Sequence, residues 1–90
     1  MDRRAHIESK LERELDASHV EVLDESHLHA GHAGAKSGGG HFRAVIVAER
    51  FEGLNTLARQ RLVYATLSDE LQSEIHALSM RTLTPSEWSS

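Results

Sequence analysis

No cysteine occurs anywhere in the 90 residues. The chain therefore has no disulfide, no nucleophilic thiol and no thiolate with which to hold a metal cluster alone. It also lacks a basic surplus, since 10 Lys and Arg face 14 Asp and Glu, a formal charge of −4. Phosphate neutralisation supplies most non-specific nucleic-acid affinity, so any contact of that kind would need a local basic patch on an acidic body. No apolar run approaches the roughly 20 residues required to cross a bilayer. The opening Met1-Asp2-Arg3-Arg4-Ala5-His6 has neither the apolar stretch of a secretory signal nor the acid-poor character of a transit peptide, and a cytoplasmic location is expected. Size is also short. Ninety residues suffice for one domain and not for two. A deep, water-excluding active site would remove much of so small a core, which argues against a stand-alone enzyme.

Histidine is plentiful by contrast, at seven residues. Around it, hydropathy spacing lays out the elements. Ile7, Leu11 and Leu15 recur every four residues among Glu8, Lys10, Glu12 and Arg13, which predicts a one-sided helix closed by Asp16-Ala17-Ser18. His19 to Asp24 alternates, with Val20 and Val22 on one side, as a short strand does. A Gly/His-rich loop, at about residues 25–40, carries His27, His29 and His32 and has no periodicity. Loops longer than about 12–15 residues are uncommon in compact domains and often functional. Alternation resumes from His41 to Glu49, with Phe42, Ala44, Ile46 and Ala48 on one face. Phe51-Glu52-Gly53 breaks it. Leu54, Leu57, Ala58, Leu62 and Ala65 then have the spacing of a buried helix face, and Ser68-Asp69 is placed to cap a shorter helix carrying Leu71. A third alternating run spans Ile75 to Leu83. Thr84-Pro85-Ser86-Glu87 starts a last helix, with Thr84 as cap, Glu87 returning to it and Trp88 as anchor.

The order is α-β-β-α-α-β-α. A hairpin followed by a helical crossover predicts a third strand parallel to one of the first two. The expected fold class is α+β, one domain over residues 1–90, with a three-stranded mixed sheet and helices on one face.

His27, His29, His32 and His41 bracket the glycine-rich loop. Histidine is the commonest metal-binding side chain, and a loop lets imidazoles converge without helical spacing. A solvated loop that happens to be His-rich is the alternative, since a structural zinc site usually shows four ligands including thiolates. His76 opens the third strand on the parity of Leu78 and Met80, the place of a half-buried histidine bonded to a backbone carbonyl. Arg50, Arg59 and Arg61 offer either a basic patch, suited by planar guanidinium geometry to carboxylate or phosphate, or a solvated helix face. No Gly-x-Ser-x-Gly occurs, and Gly38-Gly39-Gly40 precedes a strand, so neither an acyl-transfer nucleophile nor a phosphate loop is indicated. Nothing reads as catalysis.

Seven segments follow one another over roughly residues 5–88. They are Asp24-Glu25-Ser26-His27-Leu28-His29, His41-Phe42 leading into Val45-Ile46-Val47, Phe51-Glu52-Gly53-Leu54, Arg59-Gln60-Arg61-Leu62-Val63-Tyr64, Leu67-x-x-Glu70-Leu71, His76-Ala77-Leu78-Ser79 and Thr82-Leu83-Thr84-Pro85-x-x-Trp88. In this register they resemble the BolA-like protein family. The resemblance implies a fold related to the type II KH domain and a partnership with a monothiol glutaredoxin around a [2Fe–2S] cluster. It further implies one ligand at the start of the last strand, matched by His76, and a second in the first hairpin loop, matched by His29. His27 and His32 are alternates for the loop position. Where many relatives read Arg-His-Arg, this chain has Arg59-Gln60-Arg61, so no imidazole stands there.

The chemistry is compatible. Two histidines can replace two cysteines on one iron of a [2Fe–2S] centre. A chain without cysteine can supply only that half, so the glutaredoxin thiolate and glutathione would complete a cluster shared in a heterodimer, the chain alone being a monomer. The family resemblance also implies a second reading, a DNA-binding transcriptional regulator whose Arg59 and Arg61 meet phosphates. No membrane role is expected.

Overall fold

Arg3–Glu14 form the first helix, α1, in the computed structural model, which describes residues 2–26 and 40–89. Asp2 caps it by accepting the Ala5 backbone N–H at 2.7 Å, covering one of the donors a helix start leaves unpaired. Ile7, Leu11 and Leu15 are fully buried, as their four-residue spacing predicts, and Arg4 pairs with Glu8 one turn on. The helix ends where Asp16 takes the left-handed backbone conformation (φ 50°), which aspartate tolerates better than most residues.

The strands are β1 (His19–Asp24), β2 (Gly40–Val47) and β3 (Ile75–Leu83), in the order β1-β2-β3. β1 pairs antiparallel with β2, from His19↔Val47 to Asp24↔Phe42, and β3 pairs parallel with β2. This is the mixed sheet the sequence predicts. A parallel neighbour demands a crossover, supplied by a 3-10 turn at Glu49–Phe51 and by α2 (Thr56–Thr66) and α3 (Ser68–Ser73). Val20, Val22, Phe42, Ala44 and Ile46 line the covered face, where they meet Ile7, Leu11, Phe51, Val63 and Leu67 in one core. The opposite face carries exposed Glu21, Leu23, Arg43 and Arg81.

Two local expectations change. The buried side of α2 matches the predicted stripe only in part: Leu62 packs against the core, but Leu57 is 54% exposed, while Val63 and Leu67 are fully buried. The helix starts at Thr56, capped by Asn55 on the Ala58 N–H, and its inward row runs Arg59, Val63, Leu67 at four-residue spacing. Ser68 does not cap α3 either. Leu67 occupies the joint of the two helices, and Ser68 is the first residue inside.

The last helix, α4 (Pro85–Ser89), begins as predicted: the Glu87 N–H donates to Thr84 Oγ1 at 3.2 Å and the Thr84 N–H to Glu87 Oε1 at 2.8 Å. Trp88 stays 45% exposed and anchors by stacking on His19, ring centroids 4.8 Å apart.

One buried charge ties α1 to α3. Glu70, 4% exposed, accepts from Lys10 Nζ at 2.9 and 3.1 Å and bonds His6 Nε2 at 2.7 Å. Burial pushes the Glu70 carboxyl up, but the hydrogen bonds from Lys10 and His6 outweigh it and leave the group below its ordinary 4.5. The same bond raises Lys10 above its ordinary value.

Leu67→Ala should cost about 2–5 kcal/mol in urea unfolding, as buried leucines do, whereas Leu57→Ala should stay within about 0.5 kcal/mol. Glu70→Gln should cost about 1.5–3 kcal/mol near neutrality, the worth of hydrogen bonds to a charged group. A lowered carboxyl stabilises in full above its unfolded value and loses that contribution as pH falls through its folded value. The gap between wild type and Glu70→Gln should therefore shrink below about pH 4.5.

Candidate metal centre

The pairing of β2 with β3 is irregular at its start. Gly40 pairs with Ile75, yet the next residue, His41, pairs with Ala77. β2 advances by one residue while β3 advances by two, so His76 is the extra residue of a β-bulge. Parity with Leu78 and Met80 predicts half-burial for His76. The bulge breaks that parity, and His76 is exposed between buried Ile75 and core-packed Leu78. Its ring lies 5.1 Å from that of His41, centroid to centroid, with the planes inclined at 47°.

Local contacts surround the bulge. A Cβ on Gly40 would meet the Phe42 ring at 2.7 Å and Ser26 Oγ at 2.9 Å, so these two side chains fill the space where a larger residue at 40 would need room. The Gly40 N–H donates to the Glu74 carbonyl at 2.9 Å and joins β2 to the end of the helical crossover. His41 is held from both sides. Its carbonyl accepts the Glu25 N–H at 2.7 Å, and its own N–H donates to Ser26 Oγ at 3.0 Å. Ser26 in turn donates its N–H to Asp24 Oδ1 at 2.9 Å. One imidazole is thus half-buried on a braced strand and the other projects beside it.

His27, His29 and His32 lie outside the described residues, so the ligand assignment for the loop rests on the sequence. The imidazole that the strands bring to His76 is His41, which sequence reading grouped with the loop histidines without giving it a ligand's place. Its signal was available in part, because it opens β2 just as His76 opens β3. What was missing was the pairing register.

The expected arginine patch is divided. Arg59, with a side chain 12% exposed, donates to the carbonyls of Leu54 (2.9 Å) and Thr82 (3.1 Å) and to Glu87 Oε1 (2.7 Å). Its guanidinium also lies 5.9 Å from the Phe51 ring centroid. It clamps the crossover to β3 and α4, and its hydrogen bond holds the Glu87 carboxyl below the ordinary carboxylate range. Arg61 is exposed, and Arg50 reaches the Glu14 carbonyl at 3.3 Å. Exposed Arg43 and Arg81, which sequence reading passed over, flank Val45 and Ser79 in a shallow groove on the open sheet face.

Among the described residues, one further group has ligand atoms close together. His6, Glu70 and Glu74 place theirs within 4.8 Å, but Lys10 already neutralises Glu70 there. No described helix is long and apolar enough to cross a membrane.

Helices packed on one face of a β1-β2-β3 mixed sheet, with two imidazoles side by side where β2 and β3 begin, define a small single-sheet α+β domain without a thiol. The profile described as BolA-like protein matches residues 11–87, and the chain belongs to that family. It is 42% identical over 85 residues to the DNA-binding transcriptional regulator BolA of Escherichia coli, covering 94% of this chain and 78% of that protein. With SufE-like protein 1 of Arabidopsis thaliana it shares 44% identity over 90 residues, covering 94% of this chain. The chain spans only 24% of that longer relative. The solved BolA domain of SufE1 from Arabidopsis thaliana matches with a TM-score of 0.84 at 45% identity, covering 97% of this chain and 96% of that one.

Gly40→Ala should destabilise the domain by about 1–3 kcal/mol, the usual cost of forcing atoms into filled space. Because Gly40 adjoins the register shift, the imidazole nitrogen resonances of both His41 and His76 should shift in a long-range 1H–15N spectrum.

Proposed function

We propose that this chain is a non-enzymatic partner of a monothiol glutaredoxin and shares a [2Fe–2S] cluster with it through histidine ligands, in iron–sulfur trafficking or iron regulation. The observation that carries the reading is His76, turned out of the core by the bulge in a protein without a single thiol. The donor set fits one half of such a centre, because imidazole pairs are known substitutes for thiolate pairs on one iron. His76 would supply one nitrogen. His29 in the loop would supply the second, with His27 and His32 as alternates. The glutaredoxin thiolate and glutathione would supply sulfur. Exposure of His76 at a strand start leaves room for a partner's surface to approach, and exposed Arg61 is available to help dock it. The working compartment on this reading is the cytoplasm.

A DNA-binding regulator is the second reading, favoured by the name of the Escherichia coli relative and by exposed Arg43, Arg61 and Arg81. Arg59 is committed to internal contacts and would act there only by bracing α2.

Anaerobic co-expression with a monothiol glutaredoxin decides between them. The heterodimer should purify with a full [2Fe–2S] complement and its visible absorption, and the chain alone should carry none. His76→Ala should strip the cluster or change the spectrum sharply. An unchanged spectrum and iron count in His76→Ala would overturn the ligand assignment.

A further inference from the structure

We infer that His41 and His76 together form a chelate for a single divalent transition-metal ion, which the domain binds without any partner. The argument begins with distance. Metal–nitrogen bonds of about 2.0–2.1 Å place two imidazole centroids about 5 Å apart when both rings bind one tetrahedral ion. The two rings stand 5.1 Å apart. The ring spacing is therefore that of a bidentate site.

The second element is preorganisation. The rings sit on different strands, and their relative position is set by backbone constraints, not by a loop. Gly40, at the register shift, has its N–H tied to Glu74, and His41 is held through both its N–H and its carbonyl. Most of the ordering entropy that a ligand pair loses on binding is therefore spent in folding. His41 is half-buried and steady, while His76 is exposed and open to an ion from solution.

Donor chemistry selects the ion. Neutral imidazole suits zinc, copper, nickel and cobalt and does little for magnesium or calcium, which take oxygen. Among the described residues, no set of three potential ligands includes either histidine, so water completes the coordination and affinity falls below that of a closed four-ligand zinc site. On the cluster reading such an ion would take the same imidazole and exclude iron. The chelate itself does not depend on that reading, since it needs no glutaredoxin, glutathione or sulfide.

The test is titration of the isolated full chain with zinc sulfate, followed by long-range 1H–15N spectra and calorimetry. Replacing His27, His29 and His32 with alanine in one variant removes the loop imidazoles, which could bind zinc independently. That variant should still bind one zinc, and the ring nitrogens of His41 and His76 should be the ones that shift. Losing an outer-shell partner of a metal ligand already costs about 10–100-fold in affinity, so His41→Phe or His76→Ala in this background should weaken binding at least about tenfold. His19→Ala should change nothing. Zinc binding that vanishes with the loop histidines, or that is indifferent to His41→Phe, would overturn the proposal. If a variant fails to fold, the ring-nitrogen shifts of the unmutated chain decide alone: unshifted His41 and His76 signals under saturating zinc refute the chelate.

Discussion

The parallel pairing of β2 with β3 slips by one residue just after Gly40, and the outward chemistry of the domain depends on that slip. In a regular ladder His76 would alternate with Leu78 and Met80 and lie against the core. The extra residue lets Ile75 stay buried, restores Leu78 to the covered face and turns the imidazole between them out beside His41. Gly40 stands at the slip, where the Phe42 ring and Ser26 leave no room for a Cβ. The Glu74 carbonyl accepts the Gly40 N–H and Ser26 Oγ accepts the His41 N–H, which fixes the backbone beside the two imidazoles.

Two charged clamps keep the frame around this slip rigid. Glu70 draws Lys10 and His6 of α1 onto α3, the short helix that leads into β3. Arg59 draws the end of β3, the turn before α2 and Glu87 of α4 together. Buried ion pairs contribute less to net stability than their Coulomb energy suggests, because desolvation offsets much of it. Their geometry is nonetheless specific. Both ends of β3 are tied to helices, so its register against β2 is hard to shift. The second clamp also withdraws a guanidinium from the surface of a chain that is already acidic.

Much of the architecture was legible because period and capping chemistry are local. The four-residue spacing of Ile7, Leu11 and Leu15, the two-residue alternation around Phe42, and the reciprocal Thr84–Glu87 cap each depend on neighbours a few positions away. The face of α2 is legible only in part: Leu62 meets the core, but Leu57 and Ala65 have the right hydrophobicity and the wrong angle. Arg59 took an inward position by satisfying carbonyls on Leu54 and Thr82, and residue 82 is far along the chain. Arg59 and Arg61 looked equivalent in a run of text. Tertiary packing made one a brace and left the other exposed.

What the sequence determined by itself was the element order, the mixed sheet with its crossover, the absence of any thiolate ligand, and histidine as the candidate for metal chemistry. These follow from composition and short-range periodicity. What only the tertiary structure decided was which histidines meet. His41 and His76 are separated by 35 positions, and their rings come together because a single residue is skipped in a hydrogen-bond ladder. No local pattern encodes that skip: it arises because Ile75 and Leu78, three positions apart, both face the core, which an unbroken strand of period two cannot provide.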